Sequence, residues 1–316
     1  MSRTTLAIPG ARATPPRWGL ALAFFVIFVV WGTTYLAIRY AVETIPPLVT
    51  AAVRHLTAGI VLMGIAWSRG FRPSREHWIA GSVVGALFFL MGHGTLHWAE
   101  RHVPSGLAAL LVATEPMWIL LMGSALGQQR LNRLNGMGLL LGLAGVAILA
   151  VPSLTSLTVG AWGVVAVLAG TASWALGVSL APRLCLPEDA MGRAAVPVLC
   201  GGAMLLASAG VSGEIGAVHW NAISWRSLLG LAYLITFGSI IAFTAYTWLL
   251  QHVSPTLVAT HTFVNPAVAV LAGWLWASEP LDGHLLLSTI VILLAIVLIQ
   301  RGDRPAPRLA GEAQSG

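Results

Sequence analysis

A run of 22 mostly apolar residues with one carboxylate at its centre constrains the fold of this chain more than any other feature. The run extends from Ser105 to Leu126, and Glu115 is its only charged residue. About 20 apolar residues in a helix span the roughly 30 Å hydrocarbon core of a bilayer. A carboxylate near the midplane costs about 2.5–3.5 kcal/mol, so such groups face a bundle interior or a wet cavity. We therefore expect a membrane helix with Glu115 inside the protein.

The proline after Glu115 recurs at the matching place of a second, similar region. Residues 98–132 align without a gap on residues 248–282, with nine of 35 positions identical, and Glu115-Pro116 falls on Asn265-Pro266. Proline lacks an N–H and clashes with the preceding turn, so we predict helix breaks at Pro116 and Pro266. Paired interruptions at matching positions of two halves indicate the binding site of a transporter.

The composition is that of an integral membrane protein. Of the 316 residues, 57% are hydrophobic and 9% charged, whereas soluble domains carry about 25% charged residues. All basic residues are arginines beside the apolar runs, as topology signals are, so the positive charge does not indicate nucleic-acid binding. No Walker A motif is present, so ATP is not implied, and we expect no cofactor. Two cysteines are too few for a disulfide framework.

Ten apolar segments predict an all-α integral membrane protein with ten transmembrane helices. Their approximate bounds are 18–38, 46–67, 78–98, 105–126, 134–151, 160–181, 192–211, 225–249, 255–277 and 283–300. Residues 18–151 form a first five-helix repeat and residues 160–300 a second, with tails at 1–17 and 301–316. Because five is odd, the second repeat is inverted relative to the first.

Arginine counts orient the chain. With the N-terminus inside, the inner segments hold 13 arginines and the outer ones hold Arg39, Arg101 and Arg226. Arginine is enriched in cytoplasmic loops, so we expect both termini in the cytoplasm of a bacterial cell, with the helices in its inner membrane.

Three fragments carry a resemblance to a known family. They are WGTTYLAIRYAVETIPPLVTAAVRHLTAG, WAERHVPSGLAALLVATEP and the tandem repeat itself. They resemble the EamA-type transporters of the drug/metabolite transporter superfamily, closest to the YedA-like inner-membrane exporters. The resemblance implies two inverted EamA repeats, a central cavity lined mainly by helices 1, 3, 4, 6, 8 and 9, and export of amino acids or other small metabolites. His93 stands where relatives often carry Asn, so a relative's substrate is not transferred to this chain.

Several deep aromatic and imidazole side chains are candidates for a substrate pathway. Trp31 and Tyr35 lie one helical turn apart, and Trp174 lies at the corresponding depth of helix 6. These residues and Trp118 are too deep for an interfacial belt, so they either pack in the core or form an aromatic wall that recognises apolar or cationic parts of a substrate. The remaining candidates are His93, His97, Tyr246, His261 and Asn265.

The histidines allow two interpretations. His93, His97 and Glu100 share one face of helix 3, a spacing that would permit a metal, yet no further ligand repeats it nearby. We therefore expect no metal and instead a polar stripe along a water-filled path. His261 and Asn265 also share a face, and either line the cavity or join helices by hydrogen bonds.

Arg54 lies within about 3 Å of Glu115 in depth, because helices 2 and 4 run in the same direction at 1.5 Å per residue. One interpretation is a structural ion pair. The other is that movement at Pro116 switches Glu115 between its protonated and ionised forms, as a proton-coupled exporter requires. The sequence leaves both open.

Two classes of function remain. The first is a secondary transporter that exports amino acids, related amphipathic compounds or drugs by alternating access, and uptake or exchange of a different metabolite is its variant. The second is an intramembrane protease or lipid-modifying enzyme. The chain has no H-E-x-x-H and no G-x-S-x-G motif, and an enzyme gives no reason for an inverted repeat. We expect an efflux transporter that is not an enzyme; substrate and oligomeric state stay open.

Overall fold

The computed structural model describes residues 16–128, 132–155, 159–253, 258 and 261–302, and most of these residues are helical. The predicted tails before residue 16 and after residue 302 lie outside this range, as does Arg130. Five of the arginines that predict the topology fall there, namely Arg3, Arg12, Arg130, Arg304 and Arg308.

The described residues form ten successive helical rods, which fall close to the predicted segments. They are α1 (Arg17–Ala41), α2 (Pro47–Ser68), α3 (Arg75–Ala99), α4 (Ser105–Ala125), α5 (Arg133–Thr155), α6 (Val159–Leu180), α7 (Ala190–Val211), α8 (225–252), α9 (His261–Ala277) and α10 (Gly283–Gly302). In the described residues, eight of the ten are long and apolar enough to cross a membrane, and α5 and α9 contribute shorter apolar stretches. The chain is therefore an all-helical integral membrane protein.

Turn chemistry at the helix starts explains the bounds. Pro47 opens α2, where a missing N–H costs nothing. Ser74 and His77 form a reciprocal capping box at α3, and the Asp189 side chain caps α7 by accepting from the Gly192 N–H. These caps satisfy backbone donors that no earlier turn can reach.

The helices pack in a pattern that repeats between the two halves. Helix α1 packs on α8 and α9, as α6 packs on α3 and α4, while α2 lies against α7 and α5 against α10. Contacts between the residues that join successive helices mark two ends of the bundle. We name the two ends by residues. The Arg39 end carries Arg39, Glu43, Glu100, Arg101 and Glu279, and the Arg183 end carries Arg69, Arg72, Arg75, Arg183 and Arg301.

Matching helices of the two halves share an irregularity. Residues Ala86–His93 of α3 and Leu234–Ile241 of α8 are π-helical. When the offset that aligns residue 98 with residue 248 is extended to these segments, they fall on one another to within two residues. Each receives a hydrogen bond from the other half. Trp31 Nε1 of α1 donates to the Gly238 carbonyl at 3.0 Å, and Ser173 Oγ of α6 donates to the Leu87 carbonyl at 3.0 Å. π-helical turns concentrate at functional sites.

The two prolines of the repeat behave differently. Helix α4 is interrupted at Ala113 and Thr114, between Ser105–Val112 and Glu115–Ala125, so the break immediately precedes Glu115-Pro116. Pro266, in contrast, lies inside the continuous helix His261–Ala277, and the predicted break at this proline is wrong. Tertiary packing of α9 against α1 and α4 holds the helix together although proline removes one of its hydrogen bonds.

Candidate functional site

Glu115 lies where helices from both halves meet. It begins the second segment of α4, directly after the break. The indole N–H of Trp174 on α6 approaches its carboxyl group. Glu115 also interacts electrostatically with Tyr35 on α1 and Tyr246 on α8. One carboxyl group thus interacts with aromatic side chains from three helices.

One aromatic wall of the site comes from α1, α8 and α9. The Trp31 ring centroid lies 5.3 Å from that of Tyr246 and 5.0 Å from that of His261. Phe243 completes the cluster, 6.4 Å from Trp31. The Trp31 indole is held by its bond to Gly238, so its orientation is set by the π-helical segment of α8.

The opposite wall comes from α3 and α6. The Trp174 ring stacks on Phe88 with centroids 4.1 Å apart and planes 12° from parallel, and His93 stacks on Trp174 at 5.3 Å and 16°. Gly92 and Gly170 allow this contact, because a Cβ on Gly170 would meet the Gly92 carbonyl at 3.1 Å. The two walls are related as the two repeats are, since α6 and α3 correspond to α1 and α8.

A hydrogen-bonded histidine pair adjoins this second wall. His55 Nδ1 lies 2.7 Å from the Ala51 carbonyl, which can only accept, so this nitrogen donates. His55 Nε2 therefore accepts from His93 Nδ1 at 2.7 Å when both rings are neutral. His97 Nδ1 donates to the His93 carbonyl at 2.7 Å, and its buried Nε2 has no partner among the described residues.

Arg54 does not pair with Glu115 in this conformation. The described residues contain no ion pair between them within 4.0 Å, and Arg54 Nε instead donates to Ser239 Oγ of α8 at 3.1 Å. Arg54 interacts electrostatically with Glu100 and Tyr35. The guanidinium thus has a different partner, and the predicted ion pair is absent from the described residues.

Two further predicted residues, Trp118 and Asn265, form hydrogen bonds within or between helices. Trp118 Nε1 donates to Thr114 Oγ1 at 3.2 Å, across the break in α4. The Asn265 amide is 3.3 Å from His261 Nδ1, and in the flipped orientation it donates to the Phe28 and Ile27 carbonyls, so it joins α9 to α1. No group of three His, Cys, Asp or Glu side chains in the described parts of the chain is arranged to hold a metal.

Most of the candidate residues keep some accessible surface although they lie between helices. Half-buried side chains belong to Trp31, Tyr35, His93, Glu115, Trp118, Trp174, Tyr246 and His261, whereas Arg54, His55 and His97 are buried. Three residues of the site, His55, Phe88 and Ser239, were not predicted from the sequence. Of these, His55 had a signal, because a polar residue beside Arg54 inside an apolar helix needs a partner.

A second polar cluster closes the Arg39 end. Glu279, just after α9, accepts from the Ser105 N–H at 2.8 Å, from Ser105 Oγ at 2.9 Å and from the Gly106 N–H at 3.0 Å. Its carboxylate also lies 3.5 Å from Arg39 Nε. The carboxylate sits on the N-terminus of α4, where the helix dipole stabilises negative charge. It therefore ties α1, α4 and α9 together.

Two glycines make room for this cluster. A Cβ on Gly273 would lie 2.3 Å from Glu279 Oε2, and a Cβ on Gly106 would lie 3.2 Å from the backbone of Val270. The neighbouring Ser278 has a positive φ of 54°, a conformation that costs energy outside glycine. The chain accepts this strain in order to place Glu279.

A family model and a curated relative that match this chain are both described as transporters. The EamA-like transporter family matches the chain twice, over residues 17–151 and 161–301. The chain is 37% identical over 283 residues to the uncharacterized inner membrane transporter YedA of Escherichia coli K12, covering 89% of this chain and 90% of that protein.

More distant relatives and a solved structure agree. The uncharacterized transporter YvbV of Bacillus subtilis is 27% identical over 285 residues, covering 90% of this chain and 91% of its own. Protein PecM of Dickeya dadantii is 26% identical over 283 residues, covering 86% and 89%. A crystal structure superposes with a TM-score of 0.61 at 19% identity, covering 92% of this chain and all of the other, and so supports the fold alone.

Proposed function

This chain belongs to the EamA-like transporter family and is a membrane transporter, and we propose that it exports small amphipathic molecules with an amino group by alternating access, coupled to protons at Glu115. Amino acids, related amines and cationic drugs have this chemistry. The observation that carries the proposal is Glu115 itself, a carboxyl group at a helix break, between two aromatic walls, with no arginine of the described residues in ion-pair distance.

The chemistry of the walls supports this substrate class. Indole and phenol faces attract cations through their quadrupoles and cover apolar groups, so Trp31, Tyr246 and Trp174 suit the two parts of an amphipathic ammonium compound. Glu115 supplies the counter-charge for the amino group. The same carboxyl group cannot hold a proton and an ammonium ion together, so proton binding and substrate binding compete, as antiport requires.

The break in α4 supports the movement that alternating access needs. Ala113 and Thr114 are not part of either helical segment, so the segment that begins at Glu115 can tilt with little loss of backbone hydrogen bonds. Such a tilt changes the position of Glu115 relative to Trp174 and Tyr246. Hinges of this kind are a few residues at element ends.

The arginine distribution supports a topology in which the Arg39 end faces the periplasm and both termini lie in the cytoplasm. Single cysteines at positions 70–74 and 303–310 should label from the cytoplasmic side of inside-out vesicles. Labelling of both regions from the periplasm in intact cells would reverse the proposed orientation.

Replacing Glu115 tests the coupling. In proteoliposomes with an imposed pH gradient, Glu115→Gln should lose gradient-driven transport while it retains its fold. Glu188→Gln, which removes a carboxyl group from a loop between α6 and α7, is the matched control and should transport at the wild-type rate. Gradient-driven transport at the wild-type rate in Glu115→Gln would refute the coupling role. Loss of folded protein in Glu115→Gln that Arg54→Gln restores would show a structural ion pair instead.

Replacing the walls tests the pathway. Alanine at Trp31, Tyr35 or Trp174 should reduce transport with membrane abundance unchanged, because each removes part of the surface around Glu115. If transport is unchanged in all three variants, these side chains only pack between helices. A resistance screen of an overexpressing strain against toxic amino acids and amines identifies the substrate for these assays.

A further inference from the structure

We propose that Glu100 is a second proton-binding site, which controls whether the Arg39 end of the transporter is open to water. The inference rests on the proposed function for its role in transport, since a proton that opens or closes one end is useful to a proton-coupled exporter. It concerns a different residue, a different end of the bundle and a different measurement from Glu115.

Glu100 is buried and unsatisfied. The residue follows α3 and is 1% exposed. The backbone of Arg39 approaches its carboxyl group, yet neither carboxyl oxygen completes a hydrogen bond within the described residues. A buried ionised carboxylate without partners is strongly unfavourable, whereas a protonated one is tolerated. These surroundings therefore favour the protonated form of Glu100.

Water reaches the immediate neighbourhood of this group. A cavity of about 230 Å³ at the Arg39 end is lined by Arg39, Val42, Glu43, Glu100 and Arg101. A proton can be exchanged between this cavity and Glu100 after a small movement of the surrounding side chains.

The charged and titratable groups around Glu100 come from α1, α2, α3 and the residues just after α9. Burial raises its pKa well above the usual range, and the charge of Glu279 raises this pKa further, whereas Arg39 and Arg54 lower it. Tyr35 faces it from α1, and His97 lies one turn away on α3. Two buried carboxyl groups, Glu100 and Glu279, thus share the positive charge of Arg39.

Glu279 and Glu100 differ in the hydrogen bonds and ion pairs that they form. Glu279 has three hydrogen bonds from α4 and the ion pair with Arg39, and so keeps α1, α4 and α9 together. Glu100 has none of these. When Glu100 loses its proton, its new charge attracts Arg39 away from Glu279, and the link between α1 and α9 weakens.

This direction of the pH effect on opening suits an exporter that takes up protons from outside. When Glu100 is protonated from the cavity, Arg39 remains paired with Glu279 and the Arg39 end stays closed. Deprotonation releases Arg39 and opens that end. Low pH on this side therefore favours return of the transporter to the state that is open at the Arg183 end.

Cysteine accessibility measures this opening without any substrate. Val42 lines the cavity and is 2% exposed, so a Val42→Cys variant with Cys185 and Cys200 replaced by serine reports water access. In vesicles with the Arg39 end outward, its labelling rate with a membrane-impermeant thiol reagent is divided by the rate of a small-molecule thiol at the same pH, because thiolate formation alone accelerates labelling as pH rises. This normalised rate should rise with external pH, by up to about tenfold per pH unit while Glu100 remains mostly protonated.

Glu100→Gln in the same background should abolish this pH dependence and give slow labelling throughout. Glu43→Gln is the matched control, because Glu43 lines the same cavity but pairs with Arg226 at 3.5 Å and is 38% exposed. Its profile should match the parent. If Glu100→Gln is not recovered from the membrane, Glu100→Met, equally uncharged, replaces it.

A parent profile that does not change with pH, or one that Glu100→Gln leaves unchanged, overturns the proposal. The outcome is independent of the coupling role of Glu115. Glu115→Gln should keep the pH-dependent labelling of Val42→Cys even where it loses gradient-driven transport. The proposed pathway and coupling role of Glu115 can therefore be refuted while the proposal for Glu100 holds. The reverse outcome is equally distinguishable.

Discussion

Neutralising Glu279 should destabilise the folded protein far more than neutralising an exposed carboxylate at the same end. Glu279 is 8% exposed and accepts three hydrogen bonds of 2.8, 2.9 and 3.0 Å. Hydrogen bonds to a charged group contribute about 1.5–3 kcal/mol each, and neutral ones about 0.5–1.5 kcal/mol.

Glutamine keeps one of the acceptor oxygens. In Glu279→Gln the two bonds from Ser105 persist as neutral bonds, while the new NH₂ group faces the Gly106 N–H and leaves it unpaired. Three charged bonds become two neutral ones, which lowers the free energy of unfolding by about 5 kcal/mol at the middle of these ranges. The contribution of Arg39, which is 34% exposed, adds little.

Equilibrium unfolding in mixed detergent micelles measures the difference. Glu43→Gln is the control, since its ion pair with Arg226 is exposed on both sides and should contribute about 0–1 kcal/mol. Ser105→Ala combined with Glu279→Gln should cost less than the sum of the two single changes, because they share bonds. Equal destabilisation by Glu279→Gln and Glu43→Gln would refute the reasoning.

Three further changes test the packing and the charges. Gly32→Ala should destabilise the fold in thermal unfolding, because the new methyl carbon would lie 2.6 Å from a valine Cβ on α9, whereas Gly136→Ala meets nothing within 4 Å and should be neutral or stabilising by up to about 1 kcal/mol. Ser239→Ala leaves Arg54 Nε without its partner and should cost about 1–3 kcal/mol; an unchanged midpoint would show that another group replaces the serine. Burial raises the pKa of Glu100 in the folded chain, so the folded state keeps a proton that the unfolded state loses above about pH 4.3, and stability should fall as pH rises from there. Glu100→Gln should remove this part of the pH dependence, and an equally steep fall in that variant would contradict the assignment.

The helices and the interior position of Glu115 could be predicted from the sequence because both follow from local rules. Apolar runs of bilayer length locate the helices, and a mid-run carboxylate must face the protein. The interruption of α4 at Pro116 follows from the missing N–H of proline. Each of these properties depends on residues close together in the chain.

Properties that depend on the rotation of a helix were not predictable in the same way. Arg54 reaches Ser239, 185 residues away, and His55 meets His93, 38 residues away. Depth follows from counting residues, but the direction of a side chain depends on which helix is its neighbour. Pro266 shows the same limit, since surrounding helices decide whether a proline interrupts its own helix.

The π-helical segments of α3 and α8 have a consequence for how the protein is made. Ser173, in the second half, donates to the α3 segment, and Trp31, in the first half, donates to the α8 segment. A ribosome delivers the first half to the membrane before residue 173 exists, so α3 must wait for its donor, while α8 finds Trp31 already in place. Neither half contains all the partners that its own helices use. The two repeats, although similar in sequence, are therefore not interchangeable units of biosynthesis, and the first is completed only by the arrival of the second.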